Sequence, residues 1–152
     1  MGRPTRDVRR RSFDFSDLNA GDYVVLAATV VMFIALLGNW WVNGLAVNAA
    51  YHSQLYFVIE LVLLLLTVVL VVYPLVHSEL GLRPLPFATP PIMLAIGFLL
   101  LLTTTYELGR YTGVGVIGIG AGFGLWMAFV AAWVYLLGAV IKWGGRQRRL
   151  QG

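Results

Sequence analysis

Leu61-Val62-Leu63-Leu64-Leu65-Leu66-Thr67-Val68-Val69-Leu70-Val71-Val72 decides the fold class of this chain. The stretch carries no charge and a single hydroxyl. The apolar run extends on both sides of it, from about Leu55 to Val76, with Glu60 as its one charged residue. At 1.5 Å of rise per residue such a run covers about 33 Å as a helix, roughly the thickness of a bilayer's hydrocarbon core. It therefore reads as a transmembrane helix.

Three more segments of this kind lie outward from it, at residues 23–41, 90–108 and 116–142. The first follows Asp22, a candidate N-cap. The third opens on Thr89-Pro90-Pro91, with a capping threonine and prolines where the first turn tolerates them. Short connections between the spans favour antiparallel neighbours. The expectation is an all-α, antiparallel four-helix transmembrane bundle over residues 23–142, with a basic polar arm at 1–22 and a basic tail at 143–152. Bulk composition agrees: 59% of the 152 residues are hydrophobic and 12% are charged. Soluble domains carry about 25% charged residues. Mean hydropathy is +0.80.

Charge placement sets the expected orientation. With four spans, both termini and the 77–89 connection share one side. That side holds ten of the eleven basic residues, including Arg3, Arg6, Arg9, Arg10, Arg11, Arg83 and Lys142; only Arg110 lies opposite. The positive-inside bias then puts both termini in the cytoplasm. Basic residues flanking apolar spans also suit anionic lipid headgroups, so membrane lipids are the expected partners and nucleic acid is not. The first span is expected to remain in the mature chain. Val47-Asn48-Ala49, its nearest cleavage-like site, lies beyond the 15–30 residues of a usual leader.

Catalytic patterns are missing from the sequence. There is no cysteine, which excludes thiolate chemistry and Cys-ligated metal. His52 and His77 flank the second span, about 38 Å apart if that segment is helical, so they cannot share a metal. Gly113-Val114-Gly115-Val116-Ile117-Gly118 spells G-x-G-x-x-G, but it joins two membrane spans where a dinucleotide site needs a strand before it and an acid after it. No metal or cofactor is implied.

Two features have chemistry of their own. Gly118/Gly122 and Gly120/Gly124 are small-xxx-small pairs, continued by Ala128 and Ala132, and read as a ridge for close helix packing. Trp40, Trp41 and Trp143, with Tyr23, Tyr73 and Tyr106, read as interface anchors. Trp126 and Trp133 are seven apart and should share a helix face. The second feature is a polar cluster. Glu60 near the start of span two and Glu107 near the end of span three fall at similar depth, with Thr103 one turn before Glu107 and Arg110 three residues after it, placed to pair with it. Together with His52 these residues form the candidate ligand or ion site, because ionisable groups in apolar surroundings are expensive. Two carboxylates sharing such a site behave as one coupled unit.

The front of the chain, Phe13-Asp14-Phe15-Ser16-Asp17-Leu18-Asn19-Ala20-Gly21-Asp22 with an apolar span closing in Trp40-Trp41, resembles the start of small actinobacterial membrane proteins of uncharacterised function. The resemblance covers about a quarter of the chain and implies a multi-pass protein of a bacterial inner membrane. It carries no site residue over. The leading functional expectation is a non-enzymatic membrane protein that assembles with itself or with a larger membrane complex. The alternative is a small transporter, channel or ion- or lipid-binding module using the outer polar site, and a lipid-acting membrane enzyme is the third reading.

Overall fold

The computed structural model describes residues 18–43, 45–48, 54–77, 82–83, 85, 88–112 and 119–151. Among the described residues there are four helices, α1 (Ala20–Leu37), α2 (Gln54–Val76), α3 (Thr89–Thr112) and α4 (Phe123–Gln151), with the short strands β1 (Asn39–Asn43) and β2 (Leu45–Asn48) between α1 and α2 and β3 (Ile119–Ala121) between α3 and α4. Each helix holds a segment long and apolar enough to cross a membrane. The protein is a four-helix transmembrane bundle with a small sheet at one end.

Local chemistry explains where α1 starts and stops. Asn19, rather than Asp22, is the N-cap. Its side chain accepts from the Asp22 amide at 3.0 Å, and Asp22 Oδ2 accepts from the Asn19 amide at 3.2 Å. This reciprocal box satisfies two amides that the helix leaves unpaired. At the other end Gly38 turns extended, and Ala35 O accepts both the Gly38 amide at 3.0 Å and Trp40 Nε1 at 2.7 Å. Trp40 is wholly buried. Instead of anchoring in an interface as its sequence position suggested, it closes the end of the helix.

From Asn39 the chain is strand, so span one stops short of the expected Trp41. The sheet order is β2-β1-β3, antiparallel throughout, with Val42 opposite Ala46 on one side and Gly120 on the other. This pairing also moves the start of span four from residue 116 to Phe123. Gly120 lies in β3 and Gly122 follows it, donating its amide to Trp40 O. The expected helical ridge is thus reduced to Gly124, Ala128 and Ala132, and Gly118 falls outside the described residues. At its far end α4 runs on as helix through the expected tail to Gln151. Likewise α3 continues past Leu108 to Thr112.

The helices form a ring, each touching the next: α1 with α2, α2 with α3, α3 with α4, and α4 back to α1. Small residues set the closest seam, between α1 and α4. A Cβ on Gly21 would stand 2.6 Å from both Gly138 O and Lys142 N, and one on Gly38 would stand 3.2 Å from Gly124 Cα. Glycines therefore bracket the seam at both ends, and buried Ala28, Ala35, Ala128 and Ala139 fill its length. In lipid, such close van der Waals packing replaces the hydrophobic drive that associates helices in water. Gly97 makes the corresponding gap on α3, where a Cβ would meet the Tyr135 ring at 2.9 Å.

The α2 helix is held differently. Its inward stripe is Glu60, Leu64, Thr67, Leu70 and Val71, a spacing that keeps all five on one helical face. Val58, Val62, Leu65, Leu66 and Val69 face outward, and α2 buries the smallest share of its span among the four. Two of its five inward residues are polar, and both hydrogen-bond to another helix.

Candidate functional site

The α2–α3 seam near the sheet end gathers several polar groups within the bundle. Antiparallel neighbours bring residues of constant index sum to the same level. Tyr56 meets Tyr106, with ring centroids 5.8 Å apart and planes tilted by 31°. One turn deeper, Glu60 meets Thr103, whose Oγ1 lies 2.9 Å from Glu60 Oε1. The same hydroxyl lies 3.0 Å from Leu100 O, so its single proton is shared between two acceptors. Glu60 is wholly buried, and its Oε2 has no hydrogen-bond partner among the described residues.

Glu107 is equally buried and lies within electrostatic range of Glu60. Its Oε1 faces Arg110 Nη1 at 3.5 Å, along one helix at i,i+3. The Arg110 side chain is half exposed, and its guanidinium also sits over the Tyr106 ring at 5.8 Å from the centroid. Of the sequence-derived set, Glu60, Thr103, Glu107 and Arg110 thus lie in one region of the seam. His52 falls outside the described residues. Tyr56 and Tyr106 were not part of that set, although each lies within a turn of a glutamate and could have been found by that spacing.

Two further polar links tie the bundle at other depths. Midway along, Thr67 Oγ1 and Tyr135 Oη are 2.7 Å apart, joining α2 to α4. At the opposite end Lys142 and Asp22 form a buried ion pair between α4 and α1. Lys142 read as an orientation charge and Asp22 as a cap from sequence alone. The missing fact was that the first and last helices are neighbours, which puts the start of one level with the end of the other.

Apolar layers separate these links. Leu64 and Leu100, both buried, lie between the Glu60 level and the Thr67–Tyr135 pair, and Ala139 lies between Tyr135 and Lys142. On the lipid side of the α1–α4 seam an open groove of about 480 Å³ is lined by apolar side chains, including Ala27, Val31, Trp126, Met127, Val130 and Val134. Trp133 is half exposed on α4 and does not line it.

No group of three His, Cys, Asp or Glu that could hold a metal occurs among the described residues. The seam's chemistry is that of a carboxylate with a spare acceptor oxygen. Fold and site together define a class: a membrane-spanning four-helix bundle with a buried carboxylate seam near one end. Comparison with protein-family models, curated protein sequences and solved structures gave no match.

Proposed function

We propose that this chain is a non-enzymatic, multi-pass membrane module that binds a small polar or ionic ligand between α2 and α3, in the outer leaflet of a bacterial inner membrane. The charge distribution supports the orientation. Ten of eleven basic residues belong to the side assigned to the termini, and the positive-inside bias supports reading the sheet end, and with it Glu60, as the outer end.

One observation carries the reading: Glu60 is fully buried within a membrane span, shares one hydroxyl proton and keeps an oxygen free of protein partners among the described residues. Ionisable residues are rare inside membrane bundles because each costs several kcal/mol, and they mark ligand or ion sites. A purely structural glutamate would be expected to have both oxygens engaged.

Assembly with itself or with a larger complex is the second reading. The glycine ridge that supports it in the sequence is largely used inside the subunit, where Gly124 meets Gly38 and Ala128 is buried. What favours it in the folded chain is the apolar groove on the outside of α1 and α4.

The two readings separate in native mass spectrometry of gently extracted protein. Wild type is expected to retain a small-molecule adduct that Glu60→Gln, a nearly isosteric change, loses while keeping its helical content. The same adduct on both proteins, or none on either, overturns the binding reading. A dimer mass without an adduct would favour assembly.

A further inference from the structure

We infer that the ligand of the Glu60 seam is a lipophilic primary ammonium, a long-chain amine with its charged head on Glu60 and its tail in the bilayer. This rests on the binding reading above and names the ligand's chemistry.

Oxygen count argues against a bare metal cation. Calcium takes six to eight oxygen ligands. The Glu60 level offers one carboxylate and the Thr103 hydroxyl, and Glu107 a turn nearer the surface adds a second carboxylate that faces Arg110. The carbonyls of both helices are largely committed to their own hydrogen bonds, so the set falls short of six oxygens and already holds a cation. An ammonium brings three donors of its own and asks only for acceptors. The unpartnered Glu60 Oε2 is one.

Charge points the same way. A buried carboxylate without a counter-charge is costly, and the guanidinium of Arg110 faces Glu107, beyond Thr103 along α3. An ammonium at Oε2 supplies the missing charge directly. The preference for a primary over a quaternary amine follows from the hydrogen bond, since a trimethylammonium cannot donate one.

The rings above Glu60 extend the match. Tyr56 and Tyr106 lie one turn nearer the membrane surface than Glu60 and Thr103, and Tyr106 already holds a guanidinium over its face. Aromatic faces attract cations, more strongly when water is excluded. An amine parting this ring pair meets π-faces on the way in and closes them over itself.

The tail is required by depth and surroundings. Glu60 lies about 9 Å along α2 from its first residue, too deep for a hydrophilic amine to reach without leaving water. Ile59 and Leu102, the sequence neighbours of Glu60 and Thr103, are exposed and offer an alkyl chain apolar side chains on either helix. The light attachment of α2 lets the seam open without disturbing the α1–α4 contact.

The test is a titration of the full chain in phosphatidylcholine nanodiscs with three probes: dodecylammonium, dodecyltrimethylammonium and dodecanol. Dodecylammonium is expected to bind wild type saturably and Glu60→Gln on the order of tenfold more weakly or worse, as for loss of one member of a buried charge pair. The quaternary probe should fall well below the primary one, and dodecanol should not distinguish the two proteins. Glu60→Asp keeps the charge and should keep saturable binding; behaviour like Glu60→Gln would overturn the inference. Tyr106→Leu should weaken binding several-fold with Glu60 intact, and unchanged affinity would remove the rings from the site. Equal titration of wild type and Glu60→Gln, beside an adduct that depends on Glu60 in the mass spectra, refutes the ammonium while sparing the binding site. Equal behaviour in both experiments refutes both.

Discussion

Gly21→Leu should yield little or no folded protein, and even Gly21→Ala should lower the unfolding temperature in detergent by many degrees. The first atom added at this position would stand 2.6 Å from two backbone atoms of α4, Gly138 O and Lys142 N, and 2.9 Å from Lys142 Cα. Backbone cannot rotate away as a side chain can, so the two helices must separate along their closest contact. Overpacking a well-filled interior costs about 1–3 kcal/mol per added group even where side chains can yield. Separating α1 from α4 also loosens the Asp22–Lys142 pair, which sits beside Gly21. Gly109→Ala is the control. Its Cβ would meet nothing within 4 Å, and the change removes a helical glycine, so it should be neutral or stabilising by up to about 1 kcal/mol. Equal melting of the two alanine variants would refute the close-packed seam.

The second large effect concerns the ion pair itself. Asp22→Asn leaves the Lys142 ammonium buried without its counter-charge, and Lys142→Met does the same to Asp22. The side chains of Lys142 and Asp22 are only 11% and 7% exposed. Breaking a buried pair from one side costs about 3–5 kcal/mol, whereas removing both charges is often close to neutral. The Asp22→Asn side chain keeps an oxygen for the Asn19 amide, so the capping box survives and the charge effect is isolated. Denaturation midpoints should therefore fall sharply for each single variant and recover most of the way in the double variant. Additive losses would mean that the two residues act separately.

The parts of this structure that depend on one segment alone were legible in the sequence. Span two declares itself by length and hydropathy, and Thr89-Pro90-Pro91 marks a helix start by its own backbone chemistry. Depth on antiparallel neighbours put Glu60 level with Glu107 from the sequence, whereas in the structure the residue facing Glu60 is Thr103, one turn from Glu107 along α3. What escaped depends on segments far apart in the chain. The strand Asn39–Asn43 pairs on one side with the adjacent Leu45–Asn48 and on the other with the distant Ile119–Ala121, and a glycine-rich stretch at a membrane surface reads alike as helix or strand until its partner is known. One local signal was present: Asn43-Gly44 is the dipeptide that most favours a hairpin. Trp40 read as an anchor because tryptophan at a span end usually meets headgroups. Its ring turns inward here because Ala35 O offers a buried acceptor one turn back. Thr67–Tyr135 and Asp22–Lys142 needed the order of helices around the ring, which no single span encodes.

If the α2–α3 seam parts to admit a ligand from the lipid, the buried Glu60 carboxyl becomes reachable, and an apolar carbodiimide measures this most directly. Dicyclohexylcarbodiimide partitions into membranes and adds to an accessible protonated carboxyl, whose proton passes to a carbodiimide nitrogen and whose acyl group then migrates from oxygen to nitrogen, leaving a stable N-acylurea that peptide mapping can locate. In native membranes Glu60 should take the label, Glu107 beside Arg110 should take it more slowly, and Glu60→Gln should abolish the modification on α2. An unlabelled Glu60, under conditions where Glu107 reacts, would contradict the account.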